Sequence, residues 1–296
     1  LESAQVIFND VIGPANMFNI RVGKLMGGPM KTDPHDSLTP TGFKVYKSTL
    51  RNSIRNATVS NAVKNGAGIE VNGILGGRVF YGIGLVTNVT EGNFDDNYQK
   101  DFYSFVEYQM GGMRLDGEDG PSGDKPWEDD HIKLRGHFLA GTVNLGTSTA
   151  PINDKRISLG GELEVWFSRL QFVGTGFYQI HDIETGFGTG TYGKVNALGI
   201  TAELAVILGN TGWFIPSIRW EHLTYKAEDQ NGNRVTSGPN EDWLNIGTLF
   251  QVRTNVQFLV GMRLMLHASD LDTFLSNSPK QNKTVDVVEA KLKVAF

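Results

Sequence analysis

Residues 195–207 read VNALGITAELAVI, and this stretch decides the fold. Its even-numbered positions form one unbroken apolar row: Leu198, Ile200, Ala202, Leu204 and Val206. Its odd-numbered positions include Thr201 and Glu203. Because successive side chains of a β-strand point to opposite faces, the stretch predicts a long strand with one apolar and one polar face. A charge in the middle of such a strand favours a hydrated interior over a dry sandwich core.

The same alternation recurs along the whole chain. A second apolar row runs from Val256 to Leu266, and the last ten residues, VVEAKLKVAF, alternate up to Phe296. Most of these segments exceed the five or six residues usual in soluble sheets and approach the roughly nine to eleven that cross a membrane. The chain is therefore predicted to be all-β. The predicted strands are residues 4–11, 17–24, 68–75, 78–86, 102–110, 132–144, 156–167, 170–181, 195–207, 214–225, 243–252, 255–267 and 284–296.

The connections between these segments alternate in length. Short connections fall at residues 76–77, 168–169, 208–213 and 253–254. Long connections fall between them, at residues 25–67, 87–101, 145–155, 182–194, 226–242 and 268–283. Outer-membrane barrels sort their loops in this way, whereas soluble sandwiches do not. We predict one domain over residues 1–296, an antiparallel up-and-down transmembrane β-barrel of about 14 strands (range roughly 12–16) with long outer loops and short inner turns.

The number of predicted strands raises a question of parity. Bacterial single-chain barrels have an even number of strands, but the pattern contains thirteen segments. The sequence begins LESAQV, without an initiator Met. Either the N-terminal part of the barrel is missing from this sequence, or residues 4–11 lie outside the barrel and leave twelve strands.

Composition and motifs exclude several classes of function. The chain has no Cys, which removes disulfides, thiolate chemistry and covalent c-type haem attachment. Its net charge of -5, with dispersed basic residues, argues against a nucleic-acid partner. Asp129, Asp130 and His131 form the most enzyme-like group, but adjacent residues of a strand point to opposite faces. We expect no catalytic site, no metal and no cofactor.

The chain resembles known outer-membrane proteins in two respects. An alternating strand that closes on Phe296 resembles the C-terminal sorting signal of Gram-negative outer-membrane proteins, and the whole pattern resembles the β-barrel porins. The segments MFNIRVGKL, SLTPTGFKVY, GIEVNGILGGRVFYGIGLVTN and EYQMGGMRLDG also resemble barrels found beside multihaem cytochromes in metal-reducing bacteria.

These resemblances imply a location in the outer membrane of a Gram-negative bacterium, among lipid and lipopolysaccharide. The barrel-assembly machinery would recognise the C-terminal strand, with Phe296 as its signal. The implied function is a porin or channel for passive diffusion of small polar solutes or ions. One alternative is a scaffold that docks or sheathes a periplasmic, multihaem electron-transfer partner. Another is an outer-membrane hydrolase similar to the omptin proteases.

Charged residues on the polar rows are the predicted pore lining, and a hydrated lumen predicts that Glu203 tolerates Lys. The structural alternative is that opposite charges pair across neighbouring strands. The predicted lining residues are Arg21, Arg78, Glu107, Lys133, Arg135, Glu162, Glu164, Glu203, Arg219, Glu221, Arg263 and Lys291.

Two connections are candidates for special roles. Residues 25–67 carry four basic residues that would form a constriction if the segment folds inward: Lys44, Lys47, Arg51 and Arg55. The alternative is a loop packed over the rim. The stretch GGMRLDGEDGPSGDKPWEDD, from Gly111 to Asp130, is long on the side where the other turns are short. It is predicted to dock a periplasmic partner, with a plug or a passive insertion as alternatives.

Overall fold

A computed structural model describes residues 5–13, 16–25, 67–87, 100–119, 128–144, 153–187, 192–209, 213–228, 231–233, 240–253, 256–269 and 285–294 of the 296-residue chain. These residues form thirteen β-strands: β1 (Gln5–Phe8), β2 (Asn19–Lys24), β3 (Ala67–Leu75), β4 (Val79–Thr87), β5 (Lys100–Gly111), β6 (His131–Asn144), β7 (Asn153–Phe167), β8 (Leu170–Phe187), β9 (Tyr192–Val206), β10 (Phe214–Glu228), β11 (Asn240–Arg253), β12 (Val256–Ser269) and β13 (Val285–Val294). Within this part of the chain, no helix is long and apolar enough to span a membrane.

The strands form one antiparallel up-and-down sheet, as the sequence predicts. Each strand pairs with the next in chain order, from β1 to β13. The register places Ile218 of β10 opposite Leu204 of β9 and Ile246 of β11, so residues of like polarity meet across strands. β1 pairs with β2, so the first segment belongs to the sheet. The thirteen described strands lie within the predicted range, and they include that segment instead of leaving it outside.

The two ends of the sheet differ in their connections. At the end that we call the turn end, β3–β4 and β7–β8 are joined through residues 76–78 and 168–169. At the opposite, loop end, most connections are longer. The expected long loop at residues 182–194 is wrong, because β8 and β9 leave only residues 188–191 between them. Pairing continues to Phe187 and Tyr192 after a register shift that begins at Asp182, and it converts most of the expected loop into strand.

The exposure of the two faces of the sheet is the reverse of that in a soluble protein: the apolar face is exposed and the polar face is buried. On the apolar face, Leu198, Ile200 and Leu204 are 37%, 38% and 42% exposed. On the polar face, Glu203 is buried, and among the described residues the largest fully buried side chains are those of Arg219 and Arg263. Exposed aliphatic rows around a charged interior are stable when lipid surrounds the sheet. The strands therefore cross a membrane.

Glycines on the polar face make room for neighbouring rings. The ring of Phe105 lies where a Cβ of Gly82 would be, and the ring of Tyr103 covers Gly84 in the same way. These rings belong to a small apolar cluster on β4–β6 that includes Leu139, which is fully buried. Aromatic rings over strand glycines fix the register of neighbouring strands.

Candidate functional site

Most predicted lining residues lie on the polar face, as their register and burial show. These residues are Arg21, Glu107, Lys133, Arg135, Glu162, Glu164, Glu203, Arg219, Glu221 and Arg263. Arg78 lies in the β3–β4 turn, one residue before the strand in which the sequence placed it. Lys291 pairs with Leu259, but its side chain lies outside the described residues. The basic residues Lys44, Lys47, Arg51 and Arg55 and the terminal Phe296 also lie outside them.

Strands β9–β12 bring four polar side chains into one row, which we call the buried charge cluster. The register places Glu203 opposite Arg219, Arg219 opposite Asn245, and Asn245 opposite Arg263. Arg219 Nη1 lies 3.3 Å from Glu203 Oε2, and Arg219 Nε donates to Glu221 Oε1 at 2.8 Å. Asn245 Nδ2 donates to the same Glu221 oxygen at 2.8 Å. These four side chains and that of Glu221, which we include in the cluster, are all buried, so the ion pairs are shielded from bulk water.

The cluster continues onto an aromatic ring. The Arg263 guanidinium lies 4.0 Å from the centre of the Trp243 ring, a cation–π distance. Trp243 Nε1 in turn donates to Glu241 Oε2 at 3.1 Å. Charges that would be costly to bury alone are thus held by several partners each.

A second set of buried charges spans β5–β8 near the loop end. Arg156 donates to Asp101, and the two side chains meet across β6 at Gly141, where a Cβ would collide with the Asp101 carboxylate. Next to them, His181 Nδ1 lies 2.8 Å from Asp154 Oδ2. Sequence reasoning placed Asp101 and Asp154 in or beside loops. Alternation along the strand could have identified them, since Asp101 and Asp154 both continue the polar row of the strand that follows.

The polar face changes character at the turn end of β6–β8, in a region that we call the recess. The side chains here are partly exposed, unlike those of the buried charge cluster. The register pairs His131 with Trp166 and Lys133 with Glu164. Lys133 Nζ lies 3.7 Å from Glu164 Oε2, and Gln171 Nε2 donates to Glu164 Oε1 at 3.2 Å. The recess thus presents charged, amide and aromatic groups at the turn end of the sheet.

Arg135 marks the boundary between the recess and the buried region. Its Nη1 lies 3.3 Å from Glu107 Oε2, and its guanidinium lies 4.2 Å from the centre of the Phe105 ring. Its side chain is 7% exposed, against 22% for Lys133 two residues nearer the turn end. The accessible part of this wall therefore ends at about the level of Arg135.

The first part of the long turn-end connection is ordered against a neighbouring turn. Arg78 Nη1 donates to the carbonyl oxygens of Gly111 and Gly112 at 2.6 and 2.9 Å. Leu115 N donates to Gly77 O at 2.8 Å. The Arg114 guanidinium occupies the place where a Cβ of Gly77 would lie. Residues 111–119 therefore pack onto the β3–β4 turn.

In the Asp129, Asp130 and His131 group, Asp129 Oδ2 lies 3.8 Å from His131 Nδ1, whereas Asp130 contacts the β7–β8 turn. Met113 N donates to Asp129 Oδ1 at 2.7 Å, and Ser168 N donates to Asp130 Oδ1. The His131 ring instead donates from Nδ1 to the carbonyl oxygen of Asp129 at 2.7 Å. The two carboxylates hold the end of the connection in place. Among the described residues, no group of His, Asp and Glu side chains is arranged to hold a metal ion.

No protein-family model and no curated protein matches the sequence. The fold, however, is similar to solved outer-membrane proteins. A loop L8 deletion mutant of OmpT, an outer membrane protein of Vibrio cholerae, aligns over 85% of this chain and 71% of its own, with a TM-score of 0.51 and 11% identity. In-vitro folded OmpT of the same organism aligns over 85% and 66%, with a TM-score of 0.52 and 11% identity.

A third solved structure belongs to a transport protein. The anion-selective porin from Comamonas acidovorans aligns over 85% of this chain and 64% of its own, with a TM-score of 0.50 and 11% identity. At this identity the similarity concerns the fold alone. Together with the exposed apolar face and the charged polar face, the fold defines the chain as an outer-membrane β-barrel protein of the Gram-negative type. The match spans about two thirds of the length of these proteins.

Proposed function

We propose that the protein is an outer-membrane channel through which small polar solutes or ions diffuse passively. The observation that carries this proposal is the charged and polar face of a membrane-crossing sheet, part of which stays accessible in the recess. Lumen-facing charges and hydrogen-bonding groups are the features by which barrels admit polar solutes. The fold similarity to a porin is consistent with this function.

The proposed channel is weakly selective between anions and cations. In the buried charge cluster, Arg219 is 1% exposed and lies between Glu203 and Glu221. In the recess, Lys133 is paired with Glu164. Since both signs are present and paired, the described wall favours neither ion strongly. Solute size and hydrogen bonding would then decide what passes.

Conductance of the purified full chain in planar lipid bilayers tests this proposal. Folded protein is expected to produce discrete current steps, with reversal potentials in a salt gradient close to zero because both signs line the wall. Folding is checked by the change in gel mobility on heating. Folded protein that inserts without any current would contradict the channel, and cleavage of a peptide or lipid substrate would favour the hydrolase alternative.

A second candidate function is a scaffold for a periplasmic partner. Residues 111–130 contain seven acidic and two basic residues, a net charge of -5 that equals the net charge of the whole chain. Glu118 and Asp119, in the part that packs onto the β3–β4 turn, are 64% and 52% exposed at their side chains. Exposed acidic side chains at the turn end would suit a basic partner. The multihaem electron-transfer partner implied by the sequence resemblance is a proposal of this kind.

The scaffold is tested by pull-down of periplasmic proteins with the full chain and with a variant that has residues 112–128 replaced by a short turn. Loss of a bound protein in the variant, and weaker binding at high salt, would support docking, because exposed charges are screened beyond about 8 to 10 Å. Equal recovery by both proteins would contradict it. A rise in conductance without change in binding would instead identify the segment as a plug.

Assembly is proposed to depend on the C-terminal strand and on lipid and lipopolysaccharide around the apolar face. Deleting Phe296 should lower the amount of protein that reaches the outer membrane in cells, through loss of recognition by the barrel-assembly machinery, while refolding in detergent stays the same. Normal insertion in cells would contradict this role.

A further inference from the structure

The recess contains a buried histidine with one ring nitrogen that has no partner. His131 Nδ1 donates to the carbonyl oxygen of Asp129 at 2.7 Å, so the other ring nitrogen, Nε2, accepts a hydrogen bond in the neutral ring and donates one in the protonated ring. The side chain is nine-tenths buried, with 10% exposure, and Nε2 has no hydrogen-bond partner. Its neighbour Glu164 Oε1 lies 3.8 Å away, beyond hydrogen-bonding distance. A buried ring nitrogen without a protein partner is satisfied by a ligand or by water.

The residue opposite His131 has an unpartnered donor. The Trp166 ring is stacked against the His131 ring, with centroids 6.2 Å apart and planes at 18°. Trp166 Nε1 is buried and has no hydrogen-bond partner. In the buried charge cluster, by contrast, Trp243 Nε1 donates to Glu241. The recess therefore combines an open imidazole nitrogen and an open indole N–H on adjacent strands.

The ion pair of the recess adds a further hydrogen-bond donor and a further acceptor. Lys133 Nζ can donate, and the Glu164 carboxylate, 3.7 Å from it, can accept. A hydroxyl both donates and accepts, so it matches either state of His131 Nε2 and can also accept from the N–H of Trp166. Further hydroxyls can accept from Lys133 and donate to Glu164.

We propose that the recess is a binding site for neutral polyhydroxyl solutes, that is, for sugars. A charged ligand would have to compete with the Lys133–Glu164 and Arg135–Glu107 ion pairs, whereas a neutral sugar adds hydrogen bonds without breaking them. The aromatic rings supply an apolar wall beside these polar groups, as in small-molecule sites generally. The inference deepens the proposed channel by naming its solute class, but binding is measurable without any conductance.

Isothermal titration calorimetry on the folded full chain in detergent tests the site, with glucose and maltose as probes. Wild-type protein should bind at least one of them, more tightly than glycine or inorganic phosphate. Trp166→Phe keeps the ring and removes the donor, and Glu164→Gln removes the charged acceptor. Each should weaken binding by about 3- to 10-fold, the worth of one hydrogen bond. Trp243→Phe is the matched control and should leave binding unchanged, since Trp243 lies outside the recess.

Three outcomes would overturn the proposal. The first is folded wild-type protein that binds neither sugar, which would assign the open groups to water alone. The second is sugar binding that Trp166→Phe and Trp243→Phe change equally. The third is a preference for glycine or phosphate. Heat-dependent gel mobility confirms that each variant is folded before titration. Sugar binding by a protein without current would reject the channel and keep the site, and current without sugar binding would do the reverse.

Discussion

The buried charge cluster and the recess each combine basic, carboxylate and amide side chains on the same face of one sheet, but these side chains are in different states. In the cluster, Arg219 contacts Glu203 and Glu221 and is 1% exposed. In the recess, Lys133 has a longer contact to Glu164 and is 22% exposed. Charged side chains on the polar face are thus fully buried in one place and remain partly accessible in another. Burial and partners, more than residue type, separate the two roles.

Removing one cation from each region tests the difference between them most strongly. Arg219→Met leaves Glu203 and Glu221 buried without their shared partner, so it should lower the free energy of unfolding by about 3–5 kcal/mol. Lys133→Met should cost no more than about 1 kcal/mol, because its ion pair is partly exposed. Urea unfolding in lipid vesicles measures both. Similar costs would show that the two regions do not differ.

The apolar face provides a third environment, in contact with lipid. Leu204→Arg should cost about 2–4 kcal/mol if it places a charge near the middle of the bilayer. Leu208→Arg, on the same face but beyond the end of β9, should cost only about 0–1 kcal/mol near the interface. The same vesicle unfolding experiment compares them. Equal costs at the two depths would contradict the assignment of this face to lipid.

A smaller effect is expected at the glycine that lets buried charges meet. Gly141→Ala would place a methyl group against the Asp101 carboxylate that reaches Arg156, so overpacking should cost about 1–3 kcal/mol. Gly136→Ala is the control on the same strand, because a Cβ there meets nothing within 4 Å. Its unfolding free energy should stay within about 0.5 kcal/mol of wild type. An unchanged unfolding free energy for Gly141→Ala would show that the Asp101–Arg156 ion pair does not require a glycine at this position.

Much of this fold is predictable from alternation alone. The row from Leu198 to Val206 identifies both the strand and its lipid-facing side, because a period of two needs no knowledge of neighbours. The loop-end extensions were missed because Gly, Thr and Asp residues there have the composition of turns. Pairing with a neighbouring strand overrides that preference, and the sequence of one strand alone does not show which residues will pair.

The candidate site is less predictable, because it depends on register. Alternation places Glu203 on the polar face, but it predicts a hydrated position that tolerates Lys. The structure buries Glu203 against Arg219, so Lys there would bring two cations together. Nothing in the local sequence shows that Asp101 meets Arg156 across Gly141, since 55 residues separate the two charges. The recess likewise depends on the pairing of His131 with Trp166.

The most direct test of the central claim, that the recess lines the path of a solute, uses the absence of native Cys. Single-channel conductance is recorded for Lys133→Cys before and after a charged, membrane-impermeant thiol reagent is added at the turn end. We expect a stepwise change in current at Lys133→Cys and none at Leu204→Cys, on the apolar face. An unchanged current at Lys133→Cys in protein shown to be modified, or an equal change at both positions, would contradict it.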